Sequence, residues 1–192
     1  MKRIYTAVFI AIMAVGLLMT GCGPTPPDIT GTWTSTCVPS AGTPGTYDQF
    51  TNTFTGTERV SFITSYITPD CSGDPAWEYA STSDYLIGDE TSVAEVWEID
   101  YTYTAASITL LDAAYLSGFE GIVCGLTGWV VDEPMDMLGV EGCAFDNPSD
   151  GEETLQVFKV ASEGAALYVS DEINGPDTPP RNTELGDLVF EF

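Results

Sequence analysis

A chain of 192 residues with 5 basic side chains, 29 acidic ones and no histidine carries a formal charge of −24. That charge repels nucleic-acid phosphates and anionic lipid head groups, and the missing histidine removes Ser-His-Asp and Cys-His catalysis and the commonest metal ligand together. With 44% apolar and 11% aromatic residues the chain can bury a full core, which argues against disorder.

Residues 1–21 read as an export signal. Lys2 and Arg3 precede an apolar, uncharged run from Ala7 to Met19, too short for a permanent span of ~20 residues. Leu18-Met-Thr-Gly-Cys22 resembles the lipobox of bacterial lipoproteins, which implies that Cys22 is diacylated and becomes the mature N-terminus. A plain secretory signal with an incidental cysteine is the alternative. Gly23 stands where an aspartate would resemble the inner-membrane retention signal of enteric bacteria, so in a Gram-negative host the expected address is the outer membrane. The mature chain keeps only Arg59, Lys159 and Arg181 against its acidic residues.

Residues 22–28 form a lipidated, Pro-rich tether. Three prolines favour an extended run of ~3.1 Å per residue, which holds the domain within roughly 20 Å of the bilayer. The remainder, 29–192, is expected to be one domain.

From Thr30 to Thr104 the pattern is strand, turn, strand. Tyr47, Gln49, Thr51 and Thr53 alternate with Phe50 and Phe54 until Gly56, and Val60–Tyr66 follows, ending before Pro69–Gly73. Trp77, Tyr79 and Tyr85 lie in the next run, which stops at Gly88. Trp97, Ile99, Tyr101 and Tyr103 then share one face, with Glu98, Asp100 and Thr102 on the other. Such alternation means one buried and one wet face, and the Thr and aromatic content favours strands. Ser107–Leu111 reads as a separate short strand.

Asp112 to Gly118 looks like a short helix with Asp112 as its N-cap, and 112–146 as a helical, loop-rich excursion from the main sheet. Strands resume at Thr154–Val160, Ala166–Ser170 and Leu188–Phe192. The fold class is therefore all-β: an up-and-down antiparallel barrel of about eight strands, since closure removes exposed edges. A β-sandwich is the alternative.

With Cys22 assigned to acylation, Cys37, Cys71, Cys124 and Cys143 make an even set in an oxidising compartment. The pairing 37–71 and 124–143 brackets two local units and is preferred among the three possible. A zinc site of four thiolates is the alternative, without a C-x-x-C to support it.

Gly31-Thr-Trp33 resembles the G-x-W motif that opens lipocalin-like barrels, where the Trp closes one end of the cavity. With Asp70-Cys71, Tyr85-Leu-Ile-Gly88, Glu98-Ile-Asp-Tyr101 and Pro180–Leu185, the chain resembles a group of bacterial surface lipoproteins with lipocalin-like domains. The resemblance implies a fold and an address, and no activity. It also implies that Arg181 stacks across Trp33, as a C-terminal arginine does in lipocalins. A loop charge relieving Asp177 and Glu184 is the alternative.

No catalytic constellation, metal site or cofactor is expected. Glu98 and Asp100 lie on a solvated face, and Glu95 is nearby. Asp146–Glu153 and Asp171–Asp177 are acidic turns that miss the EF-hand spacing. The candidate ligand-binding residues are Trp33, Phe50, Phe62, Trp97, Ile99, Tyr101 and Arg181, of which Phe50, Phe62, Trp97, Ile99 and Tyr101 are expected on the inward strand faces. The negative surface disfavours anionic guests, so a neutral or cationic amphipathic ligand is the expectation. A structural or adhesive barrel filled by its own side chains is the competing function, and an enzyme ranks last.

Overall fold

The computed structural model describes residues 24–141, 143, 147–161, 164–170, 173–174 and 189–192. Cys22, Arg181 and the signal segment lie outside them.

Among the described residues eleven strands form: β1 (Gly31–Ser35), β2 (Val38–Pro39), β3 (Tyr47–Thr55), β4 (Glu58–Tyr66), β5 (Trp77–Glu90), β6 (Trp97–Leu110), β7 (Pro134–Asp136), β8 (Glu153–Val160), β9 (Ala166–Val169), β10 (Ile173–Asn174) and β11 (Val189–Glu191). Eight of them close a barrel in the order β1-β3-β4-β5-β6-β8-β9-β11, with β11 pairing back onto β1. Every neighbouring pair is antiparallel and consecutive around the ring, so the barrel is up-and-down. Closure excludes the sandwich. The three short strands β2, β7 and β10 add to β3, β6 and β8.

The hairpin turns explain the register. Thr55 faces Glu58 across a two-residue loop, Gly56-Thr57. Gly56 has φ 61, the left-handed region such a hairpin turn requires at its first position. This turn, the turn between β5 and β6, the turn between β8 and β9 and the start of β1 all lie at one end of the barrel. Ile29 is buried there and accepts the Trp33 indole Nε1–H at 2.8 Å, so the chain is fixed to the barrel directly after the tether.

β6 is one 14-residue strand where the sequence pattern suggests two. Its register with β5 shifts between Thr82 and Ser83: Ser83 faces Tyr103 while Thr82 faces Ala105. Thr104 is the extra residue of a β-bulge. The bulge changes the phase, so Trp97, Ile99, Tyr101 and Tyr103 before it and Ala106, Ile108 and Leu110 after it are all buried on the concave face. That change of phase is why 97–103 and 107–111 read as separate segments.

Two cores result. Below the bulge, Ile29, Trp33, Phe54, Trp97, Ile99, Tyr101, Phe158, Leu167 and Phe190 fill the closed part. Above it, β6 leaves β8 for β7, and the ring opens. There Ala106, Ile108 and Leu110 pack against Phe119, Trp129 and Met137 of the excursion, which caps that mouth. Asp112 N-caps the excursion as expected, its Oδ1 accepting the Ala114 N–H at 2.8 Å, ahead of a single helical turn, α1 (Leu116–Phe119). Disulfides join Cys37 to Cys71 and Cys124 to Cys143, as expected, and both sit at the capped end.

Candidate functional site

The lining follows from the register, because residues opposite one another in an antiparallel pair point the same way. One inward row runs Trp33, Asn52, Ser61, Ser81 and Ala106. The next, toward the tether end, holds Phe54, Arg59, Ser83 and Tyr103. The row after that holds Tyr85, Tyr101 and Thr154. The interior is thus divided: aromatic and aliphatic where β1, β8, β9 and β11 meet, and small and polar along β4 and β5.

Of the residues expected on the lining, Trp33, Trp97, Ile99 and Tyr101 are buried on the inward face, and Phe50 packs half-buried against them. The Trp33 ring meets that of Phe192 edge-on, with centroids 5.2 Å apart. Phe62 does not join them. It faces Thr51, whereas Phe50 faces Ile63, so Phe62 lies on the outer face. The apolar residues Val60 and Phe62 suggest the wrong side of β4. The two-residue Gly56-Thr57 turn settles it, since it sets Arg59, Ser61, Ile63 and Ser65 opposite the inward Phe54, Asn52, Phe50 and Asp48.

Arg59 is the residue that the sequence pattern does not pick out. It is 6% exposed. Its guanidinium carbon lies 3.9 Å from the Tyr101 ring centroid and 5.8 Å from that of Tyr103, and an Nη donates to the Tyr103 hydroxyl at 3.5 Å. Stacking of this kind contributes up to ~2 kcal/mol when desolvated.

Around Arg59 several buried polar atoms make no hydrogen bond within the protein: Ser83 Oγ, Thr154 Oγ1 and Asn52 Oδ1. Ser83 and Thr154 are fully buried and Asn52 is nearly so. Leaving such a group unsatisfied costs about 1–3 kcal/mol, so each calls for a partner that enters from outside the chain. A second pair, Asp48 Oδ1 and Ser65 Oγ, lies at the capped end and is separate from these. Among the described residues, no base is hydrogen-bonded to the Ser83 or Thr154 hydroxyl.

The acidic candidates are surface features. Glu98 and Asp100 face Val157 and Leu86 on the outer side of β6. Glu95 pairs with Lys159 at 2.9 Å, both partly or largely exposed, which contributes little. Glu152 closes its own turn by accepting the Ser149 N–H at 2.7 Å.

Neither a protein-family model nor a curated protein matches the chain.

Proposed function

We infer that this protein is an exported envelope lipoprotein, anchored through Cys22, whose barrel holds a small amphipathic ligand. One observation carries the binding reading: the three buried, unsatisfied oxygens of Asn52, Ser83 and Thr154 on the lining. A barrel selected only for self-packing would replace them with apolar groups of like shape at no loss. The reading is one of binding rather than catalysis.

The address rests on the residues before Ile29. A charged n-region, a short apolar run and a small-residue Thr-Gly-Cys22 suit a lipoprotein signal, and the outer membrane is the proposed site. The tether joins the hairpin-turn end, so that end would face the bilayer and the disulfide-bearing cap would face away.

The filled structural barrel remains the second reading, supported by the dense packing of Trp33, Phe54, Trp97 and Phe158. Native mass spectrometry of protein extracted from its source separates the two. A retained small molecule supports binding, and bare mass in every preparation supports the filled barrel. For the anchor, Cys22→Ala protein should leave the membrane fraction; retention through salt and carbonate washing would overturn lipidation.

A further inference from the structure

We propose that Asp48 and Ser65, just inside the capped mouth of the barrel, form a site for a compact monovalent cation, a sodium ion or a primary ammonium group. The inference is independent of the binding reading above, because it uses none of Asn52, Ser83 and Thr154.

Asp48 and Ser65 are cross-strand neighbours on the inward faces of β3 and β4. Asp48 is 7% exposed and Ser65 0%. Asp48 Oδ1 and Ser65 Oγ are buried and make no hydrogen bond in the protein, so they do not bond to each other either. Cross-strand neighbours hold their Cβ atoms about 4.5–5.5 Å apart, which puts both oxygens within reach of one small group between them. The place is open to entry. Phe50 and Ile63, the next inward pair, and Trp77, which faces Ser65, are only half-buried although they point inward.

Charge decides what that group is. A water could satisfy two orphan oxygens, but it leaves a buried carboxylate without a counter-charge, which is costly. Among the described residues the protein does not supply that charge: Arg59 lies over Tyr101, and Lys159 pairs with Glu95.

A divalent ion is the wrong class. Calcium takes about six to eight oxygen ligands, and among the described residues no three acidic, histidine or cysteine side chains converge to hold a metal. One carboxylate balances one positive charge. A sodium ion accepts carboxylate and hydroxyl oxygens as ligands, and a primary ammonium donates N–H groups to the same two atoms. The formal charge of −24 enriches cations around the whole molecule, so the mouth draws on a concentrated pool.

The test is thermal unfolding of the full-length protein in a non-ionic detergent at a fixed ionic strength of about 0.15 M. Tetramethylammonium chloride is exchanged stepwise for sodium chloride or for methylammonium chloride. Tetramethylammonium has the same charge, but it has no N–H and is too bulky to sit between the two side chains. In the wild type the midpoint should rise with sodium or methylammonium concentration, as mass action requires of a ligand that binds the folded state alone. A rise with only one of the two supports the site and tells an alkali ion from an ammonium group. Asp48→Asn should abolish the rise, whereas Glu58→Gln, at an exposed carboxylate, should leave it intact. Ser65→Ala should shift the half-effect concentration upward severalfold, and it decides the matter if Asp48→Asn does not fold. Equal midpoints in all three salts would overturn the site. An undiminished rise in Asp48→Asn would do so too, assigning the effect to general screening of the surface. So would a neutral-acid carbonyl band in the infrared spectrum of the wild type in every salt, lost in Asp48→Asn, since a proton would then hold the cation's place.

Discussion

The ring of Phe192 occupies the space where a side chain on Gly31 would begin. A Cβ built on Gly31 would run into Phe192 Cε2, and Gly31 itself has φ 132, a conformation open only to glycine at little cost. The glycine of Gly31-Thr-Trp33 therefore has a physical reason in this chain: it lets the last residue lie against β1 and cover Trp33 from the side. Gly31→Ala should destabilise the protein by roughly 1–3 kcal/mol through strained backbone alone, with the steric clash added. In Gly31→Ala/Phe192→Ala the clash disappears and the strain stays, so denaturant unfolding of the single and double variants should show partial rescue. Additive losses would mean that the two residues do not meet.

The bulge at Thr104 holds the two cores in one strand. Deleting Thr104 would restore simple alternation along β6 and turn either Ala106, Ile108 and Leu110 or Trp97, Ile99 and Tyr101 to the outer face. Because both sets are buried, the deletion should abolish cooperative unfolding or remove one core. The near-ultraviolet circular dichroism of Trp129 and its neighbours should collapse. A Thr104 deletion with native stability would show that the strand tolerates either phase.

Much of this architecture is legible in the sequence, and the failures have physical causes. Strict alternation in 47–55 and 97–103 gives the strands, and a signal-like leader with four remaining cysteines gives the disulfide pairs. Asp112 gives the helix start. The continuous course of β6 is hidden because one inserted residue reverses the parity on which the reading depends. Phe62 misleads because β4 carries its larger apolar residues on the outside, while its inner face is Arg59, Ser61, Ile63 and Ser65. Sequence hydrophobicity assigns such a face to water. Only the pairing imposed by Gly56-Thr57 reveals it, and the candidate site lies on that face.

The two disulfides should differ in what they hold. Their sequence separations are 34 and 19, so by loop entropy each contributes about 3–4 kcal/mol. Cys37–Cys71 ties the end of β1 to the loop after β4, within the barrel wall, and Cys37→Ser/Cys71→Ser should lower global stability by about that amount. Cys124–Cys143 ties the cap to itself. Its removal should raise hydrogen exchange in 113–140 and along Ala106–Leu110, with Trp97–Tyr101 keeping most of its protection. Uniform loss of protection in both segments would show that cap and barrel unfold as one unit.

Tyr85 supplies a test by pH. Burial pushes its phenol above the ordinary value near 10, and the carboxylate of Asp28 adds to the shift. Asp28 itself is held below the usual carboxylate range by the backbone amide of Thr30, which donates to its Oδ1 at 2.9 Å, with the Thr30 side chain lowering it further. For Tyr85 the sign follows from the charged form. The phenolate is disfavoured in the folded state, so the contribution to stability is complete below the unfolded pKa near 10 and is lost as pH rises through the higher folded value. Stability should therefore fall on the alkaline side, and Tyr85→Phe should flatten that limb, since its ring packs edge-on against Phe54 at 5.2 Å and the phenylalanine keeps the contact. Asp28→Asn should bring the Tyr85 phenolate transition down part of the way, with desolvation leaving the rest of the shift. The check is phenolate absorbance followed through an alkaline titration of the wild type and both variants. Full return of the transition to its ordinary position in Asp28→Asn would make the carboxylate the dominant cause and would place the Tyr85 hydroxyl in water at the tether end of the barrel.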